Sequence, residues 1–149
     1  MAGAHNRVQV LHGVNLNMLG KRDPEQYGTL TLAELEVQIK HWARDLGLEA
    51  TVFQTNSERA FVERLHRLNE LADAVIINPG AWAHYSWALR DALEIAAVPT
   101  VEVHLSDVAK REEWRQTSVF DGLVAAKISG KGADGYRDAL EIVKRELEV

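Results

Sequence analysis

The sequence predicts an α/β fold with one parallel β-sheet covered by helices on both faces. Short apolar runs alternate with segments whose apolar residues recur at helical spacing, a pattern typical of parallel sheets. One run, residues 74–77, is continuously apolar, as expected for a central strand buried on both faces. The chain of 149 residues fits one domain, residues 1–149, and we expect residues 1–6 to be a disordered tail.

The composition excludes several classes of protein. The formal net charge is −5, with acidic and basic residues interspersed, so we expect neither nucleic acid nor a membrane as a partner. The chain has no cysteine, which excludes thiolate chemistry and is compatible with a cytoplasmic protein. His12, His41 and His66 have no spacing typical of metal ligands, so we expect no metal site.

The first predicted strand, about residues 8–11, is followed by an unusually long loop, residues 12–28. Loops between a strand and a helix in α/β units mostly contain about 2–6 residues. Longer ones are commonly binding loops or lids. This loop carries asparagine, lysine, arginine and tyrosine side chains, and we interpret it as an active-site loop.

The remaining elements follow in alternation. Thr31 and Glu34 have the spacing of a capping box at the start of the first helix, and Gly47 is a natural stop for it. We expect strands at about 50–54, 74–77, 100–105 and 122–128, and helices after Asn56 or Ser57, at 86–96 and from Asp134. Five such units predict a flavodoxin-like three-layer sandwich with strand order 2-1-3-4-5.

Ligands of such sheets bind beyond the carboxyl ends of the strands, where the long loop meets residues 78–86 and 104–106. Tyr27 is interpreted either as a surface anchor of the loop or as a phenolate base whose charge Arg22 stabilises. Glu102 and His104, two residues apart, share one face of a strand. They form either a general acid held by a carboxylate or an ordinary polar strand end.

Other candidate residues allow two interpretations each. His84 and Asp91 lie seven residues apart, a spacing that places them on one helical face. We interpret them either as site residues or as an ordinary helix-start residue and a surface carboxylate. Asn78 is a ligand-binding residue or a structural turn residue. Arg111 and Arg115 have acidic neighbours, and a solvated charged face is the default interpretation.

Three further function classes fit less well. Residues 130–135 match G-x-G-x-x-G, but no acidic residue stands where a ribose partner is needed, so we predict a tight turn rather than a dinucleotide site. A receiver module needs acidic residues after strands one and three, where this chain has His12 and Asn78. A flavin carrier needs a short hydroxyl-rich loop after strand one, whereas this chain has a long loop of different composition there.

Several blocks together resemble the type II 3-dehydroquinate dehydratases over residues 7–147. The blocks are GVNLNMLG (13–20), RDPEQYG (22–28), NPGA (78–81) with His84 and Ser86, ALRDAL (88–93), EVHLS (102–106) and REE (111–113) with Arg115 and Ser118. The chain departs from the family pattern at Val14, Tyr85 and Asp107. The identified residues at the predicted sheet edge all fall within these blocks.

The resemblance implies anti elimination of water from 3-dehydroquinate through an enolate, giving 3-dehydroshikimate, without a metal or other cofactor. It implies that Tyr27 is the base, that Arg22 keeps it ionised, and that Asn15 holds a water against the enolate oxygen. It implies that His104, oriented and kept charged by Glu102, protonates the departing hydroxyl. A relative with an altered substrate remains the alternative.

The resemblance also implies how the substrate is held. Asn78 and the backbone amides of Leu105 and Ser106 would receive the carboxylate, while His84 and Arg115 would bind ring hydroxyls. Asp91 resembles a residue that family members contribute to a neighbouring subunit's site. Because family members are usually dodecamers, built as tetramers of trimers, the implied partners are the small-molecule substrate and further copies of the chain.

Overall fold

The computed structural model describes residues 5–148. Residues 1–4 of the predicted disordered tail therefore lie outside the described part, as does residue 149. At the other end of the predicted tail, the Asn6 side chain donates a hydrogen bond to the Gly47 carbonyl at 3.0 Å. His5 Nδ1 also lies 3.4 Å from a carboxylate oxygen of Asp73.

The five strands form one parallel sheet of order β2-β1-β3-β4-β5, which confirms the predicted topology. The strands are β1 (Arg7–His12), β2 (Glu49–Gln54), β3 (Ala74–Asn78), β4 (Thr100–His104) and β5 (Ala126–Ser129). The order reverses at β1, between β2 and β3, so the loops after β1 and β3 border the crevice in which such folds bind ligands.

The helices cover both faces of this sheet. They are α1 (Pro24–Tyr27), α2 (Leu32–Asp45), α3 (Glu58–His66), α4 (Leu68–Leu71), α5 (Trp87–Ile95) and α6 (Asp134–Leu147). Buried residues of α2 and α6 belong to one apolar core, and those of α3 and α5 belong to a second core. No helix among residues 5–148 is long and apolar enough to cross a membrane.

The central strand β3 explains why the sheet has two cores. Successive side chains of a strand point to opposite faces, and all five residues of β3 are buried. Ala74 and Ile76 pack in the core with α2 and α6, whereas Val75 and Ile77 pack in the core with α3 and α5. The continuous apolar run in the sequence follows from this burial on both faces.

Local signals place the helix ends correctly. Thr31 Oγ1 accepts a hydrogen bond from the Glu34 amide at 3.2 Å, and Glu34 Oε1 accepts one from the Thr31 amide at 3.0 Å. This confirms the predicted capping box at the start of α2. Gly47, just beyond α2, has φ +76°, as expected for a helix stop. Of the two predicted caps for α3, Ser57 is the one that accepts the Ala60 amide.

The predicted bounds of β5 were wrong. A strand was expected at residues 122–128, but β5 begins only at Ala126. Gly122 has φ +85°, and Arg90 Nη1 donates to the carbonyls of Val119 and Asp121 at 2.7 and 2.9 Å. Long-range bonds from α5 therefore hold this apolar segment as a turn.

The long loop after β1 contains more regular structure than expected. It forms a 3-10 turn at Leu16–Met18 and the short helix α1. Asp23 caps α1 through a hydrogen bond that its Oδ1 accepts from the Glu25 amide at 3.0 Å, and Pro24 occupies the first helical position. The loop therefore has a folded path that places Tyr27, the last residue of α1, at the sheet edge.

Candidate active site

One cavity opens at the carboxyl edge of the sheet. It is lined by every predicted site residue except Glu102 and Asp91. The lining residues from the prediction are Asn15, Arg22 and Tyr27 after β1, Asn78 and His84 at and after β3, and His104, Leu105, Ser106 and Arg115 at and after β4. Segments far apart in the sequence thus meet where parallel strands end.

Asn15 lies at the base of the long loop in an unusual conformation. Its φ is +71°, a left-handed value that asparagine tolerates better than most residues. The Asn15 amide donates to Asn56 Oδ1 at 2.9 Å, and Gln54 Nε2 donates to the same oxygen at 3.1 Å and to the Gly13 carbonyl at 3.2 Å. Gln54 and Asn56, which were not among the predicted site residues, therefore hold Asn15 in place.

Tyr27 is in contact with two guanidinium groups. Arg22 Cζ lies 3.7 Å from the centre of the Tyr27 ring. Arg111 Nη1 donates to the Tyr27 hydroxyl oxygen at 2.6 Å and to Ser106 Oγ at 3.3 Å. The Arg111 side chain is only 12% exposed, so the default interpretation of a solvated charged face was wrong for this residue.

The cavity is electropositive although the chain as a whole is acidic. Arg22, Arg111 and Arg115 all line it. Burial lowers the pKa of Arg22; Tyr27 opposes this shift, and Arg115 and Arg111 add to it. Arg115 Nε donates to a carboxylate oxygen of Glu112 at 2.9 Å, which lowers the pKa of Glu112. Such a site favours a negative charge.

Glu102 and His104 form a buried polar chain with Ser118. His104 Nε2 lies 2.6 Å from Glu102 Oε2, which confirms that the two side chains share one face of β4. Ser118 Oγ lies 2.9 Å from both carboxylate oxygens of Glu102, and the Glu102 side chain is fully buried. Because an ionised carboxylate only accepts hydrogen bonds, His104 Nε2 donates, which leaves Nδ1 for the cavity.

His84 lies beside His104, with the two rings stacked at 5.8 Å between centroids. His84 Nδ1 lies 2.7 Å from the Thr117 carbonyl and therefore carries a hydrogen. Burial lowers the pKa of His84, the Thr117 bond opposes this shift, and neighbouring His104 and Arg115 add to it. A neutral His84 protonated at Nδ1 has its lone pair on Nε2, so it accepts hydrogen bonds there.

Asn78 ends β3, and its side-chain oxygen accepts a hydrogen bond from the Gly80 amide at 3.3 Å. Gly80 has φ +64°, and a Cβ there would lie 2.6 Å from the Val14 carbonyl oxygen. Glycine is therefore required at this position for two independent reasons. The close approach joins the loops after β1 and β3 at the floor of the cavity.

Leu105 and Ser106 are fixed by the turn that precedes α6. The Gly132 amide donates to the Leu105 carbonyl at 3.2 Å, and the Gly130 amide donates to the Ser106 carbonyl at 3.0 Å. Both glycines have positive φ, +79° at Gly130 and +56° at Gly132. The G-x-G-x-x-G stretch is therefore a tight turn that holds the wall of the cavity, as predicted.

Comparisons with known proteins identify the family. A family model described as "Dehydroquinase class II" matches residues 6–144. The chain belongs to this family. A relative from Syntrophotalea carbinolica named 3-dehydroquinate dehydratase is 52% identical over 144 residues, covering 96% of this chain and 97% of that protein. Dehydratases are hydro-lyases, and the chain is an enzyme of this type.

Solved structures agree with the class II dehydroquinase assignment. The type II dehydroquinase from Propionibacterium acnes is 40% identical and superposes with a TM-score of 0.90, covering 94% of this chain and 97% of that one. The enzyme from Butyrivibrio crossotus is 35% identical, with a TM-score of 0.91 and coverage of 95% and 99%. The resemblance seen in the sequence and the predicted fold are both confirmed.

Two predicted site residues do not line the cavity of this dehydroquinase chain. Glu102 lies behind His104 and acts on it from the protein interior. Asp91 is exposed on α5, outside the cavity, so its predicted contribution to a neighbouring subunit's site stays a prediction. Within residues 5–148 there is no group of three or more acidic or histidine side chains placed to hold a metal ion.

Proposed function

We propose that the cavity catalyses the anti elimination of water from 3-dehydroquinate, giving 3-dehydroshikimate through an enolate. A β-hydroxy ketone that loses water needs a base for the proton next to the carbonyl group. It also needs a group that stabilises the enolate oxygen and an acid for the departing hydroxyl. The lining residues offer one group for each of these roles.

Tyr27 is the proposed base. As a phenolate it takes the proton from the carbon next to the ketone, and the electron pair of the broken C–H bond moves onto the carbonyl oxygen. The guanidinium groups of Arg22 and Arg111 stabilise the negative charge on the phenolate, because Arg111 contacts its oxygen and Arg22 lies over its ring. Asn15, held by Asn56, binds a water that donates to the enolate oxygen.

His104 is the proposed acid. The imidazolium gives the proton on Nδ1 to the hydroxyl as the C–O bond breaks, so that water leaves and the electron pair of the enolate forms the new double bond. Glu102, 2.6 Å from His104 Nε2, stabilises the positive charge that the imidazolium carries before this step. The proton taken by Tyr27 then returns to His104 through solvent, which restores both groups.

The other polar groups hold the substrate. Asn78 and the backbone amides of Leu105 and Ser106 receive its carboxylate, while Arg115 and the Nε2 lone pair of His84 bind ring hydroxyls. His84 is suited to this role because its Nδ1–H donates to the Thr117 carbonyl. The Nε2 lone pair is then left to accept a hydroxyl hydrogen.

One observation carries the proposal: a single cavity joins a tyrosine hydroxyl bound by an arginine to a histidine bound by a buried carboxylate. Either pair alone occurs in many proteins. Together, at the carboxyl edge of this sheet, they supply a matched base and acid for one elimination.

The direct test is to add 3-dehydroquinate and follow the enone absorbance of the product. We expect turnover in the presence of a chelator and without flavin, and we expect it to survive treatment with borohydride. Tyr27→Phe should abolish turnover while substrate still binds in a titration. Tyr85→Phe removes the same hydroxyl from an exposed tyrosine and is the matched control. A Tyr27→Phe enzyme with normal kcat would disprove the role of Tyr27.

We also propose that Asp91 completes the site of a neighbouring copy within a homododecamer. Its exposed position on α5, outside the cavity of its own chain, agrees with a role in another subunit. Sedimentation of the purified protein tests the assembly. Mixing subunits that carry Asp91→Ala with subunits that carry Tyr27→Phe should restore activity in part, because mixed contacts then contain intact sites.

A further inference from the structure

The floor of the cavity rests on a buried hydrogen-bonded chain formed by His12, Tyr136 and Asn78. His12 ends β1, Asn78 ends β3 directly beside it in the parallel ladder, and Tyr136 lies in the first turn of α6. The Tyr136 hydroxyl oxygen lies 2.8 Å from His12 Nε2 and 3.0 Å from Asn78 Nδ2. All three side chains are buried, and only Asn78 reaches the cavity.

We propose that Tyr136 is a positioning residue that, with His12, fixes the orientation of the Asn78 amide so that its N–H faces the substrate. The inference rests on the proposed function and deepens it, because it specifies what Asn78 presents. Neither Tyr136 nor His12 touches the cavity, so neither is a catalytic residue. They act through Asn78.

The orientation of the Asn78 amide follows from its two partners. The Gly80 amide is a donor and lies 3.3 Å from Asn78 Oδ1. If the amide were flipped, two donors would face each other at this point, which is unfavourable. The oxygen therefore points to Gly80, and Nδ2 points to the Tyr136 hydroxyl.

The position of every proton in the chain then follows. Asn78 Nδ2 only donates, so the Tyr136 oxygen accepts from it and the hydroxyl hydrogen is free to bond to His12 Nε2. His12 must then be neutral and protonated at Nδ1, an atom without a hydrogen-bond partner among the described residues. The other tautomer would leave two groups unmatched, the Tyr136 hydroxyl hydrogen and the His12 Nδ1 lone pair, instead of one.

Burial supports the same proton positions. It lowers the pKa of His12 to about 4, so the ring is neutral at neutral pH and keeps a lone pair for Tyr136. Burial also raises the pKa of Tyr136, with the Asn78 bond acting in the opposite direction, so the hydroxyl keeps its hydrogen. One N–H of Asn78 is used by Tyr136, and the second is left for an acceptor such as a substrate carboxylate.

Steady-state kinetics of three variants test this inference. Tyr136→Phe deletes only the hydroxyl; we expect KM for 3-dehydroquinate to rise about tenfold and kcat to change less than about threefold, since the lost contact acts on binding. The double variant Tyr136→Phe with His12→Leu removes both polar partners, which is often nearly neutral for stability. We therefore expect its melting temperature to recover while KM stays high.

Val143→Ala is the matched control on α6, since Val143 is fully buried in the same core and does not line the cavity. It should lower the melting temperature at unchanged KM. If KM of the Tyr136 variants stayed within twofold of the wild type, or simply followed the melting temperature in all three variants, the positioning role would be wrong.

A second measurement separates this inference from the proposed function. ¹⁵N NMR of the histidine side chains reports which nitrogen of His12 carries hydrogen, whether or not the protein turns over 3-dehydroquinate. We expect a protonated Nδ1 and an unprotonated Nε2. A hydrogen on Nε2 would overturn the proton positions, whereas the expected tautomer in a protein without turnover would refute only the proposed function.

Discussion

His12 should make the stability of this protein strongly dependent on pH. An unfolded histidine has an ordinary pKa of 6.5, whereas burial lowers the folded value to about 4. Between these two values the unfolded chain binds more protons than the folded chain. The free energy of unfolding therefore rises with pH across this window. The contribution of neutral His12 to stability is lost as the pH falls through the same window.

The magnitude follows from the two pKa values. The shift from 6.5 to about 4 corresponds to about 3.4 kcal/mol once the folded form is also protonated, at ~1.36 kcal/mol per unit. Near pH 4.5 the free energy of unfolding is already lower by about 2.5 kcal/mol because of His12, whereas at about pH 7.5 it is almost unchanged. This loss is a large fraction of the roughly 5–15 kcal/mol by which a typical domain is stable.

Urea unfolding of the wild type and of His12→Gln, near pH 4.5 and pH 7.5, measures this contribution. Glutamine does not titrate and keeps an acceptor for the Tyr136 hydroxyl. Between pH 7.5 and pH 4.5, the wild type should lose about 2.5 kcal/mol more unfolding free energy than His12→Gln does. His66→Gln replaces an exposed histidine and serves as the control. A His12→Gln difference that is the same at both pH values would refute the reasoning.

Three further predictions concern the site and the scaffold. Arg111→Ala should lower kcat/KM by about 10²-fold in the steady-state assay, because the guanidinium 2.6 Å from the Tyr27 hydroxyl would no longer stabilise negative charge there. Ser118→Ala removes the hydroxyl that contacts both oxygens of Glu102 and should lower kcat by roughly threefold to tenfold. Thr31→Ala breaks the capping box of α2 and should lower the free energy of unfolding by about 1 kcal/mol, measured in urea, with unchanged kcat.

The parts of the fold that the sequence predicted well are those that local physics determines. The capping box at Thr31 is complete within four residues, and the buried strand β3 is visible as an unbroken apolar run. The pairing of Glu102 with His104 follows from the two-residue period of a strand. In each case the relevant partners are near one another in the chain.

The errors occur where distant residues decide the structure. The turn that contains Gly122 is apolar enough to be a strand, but hydrogen bonds from Arg90 hold it in another conformation. Arg111 has the charge pattern of a solvated helix face, and its contact with Tyr27 joins residues 84 positions apart. No local pattern distinguishes an arginine that turns inward from one that stays in solvent.

Tyr136 is a similar case with a different cause. It is one of the buried residues on the apolar face of α6, and helical periodicity reports only which face of a helix is covered. The periodicity carries no information on what the hydroxyl meets. The partners of that hydroxyl, His12 and Asn78, come from two other elements, 124 and 58 positions away, so the polar function of the residue was not predictable.

The arrangement explains how an acidic protein can handle two negative charges in one cavity. In the proposed reaction, the Tyr27 phenolate and the substrate carboxylate are present together. Arg22 and Arg111 both contact Tyr27. A carboxylate bound to these arginines would weaken their effect on the phenolate. In the proposed scheme, the neutral amide of Asn78, which donates to the Tyr136 hydroxyl, would bind the carboxylate by hydrogen bonds instead. In this scheme the substrate carboxylate would not compete with the phenolate for the two arginines.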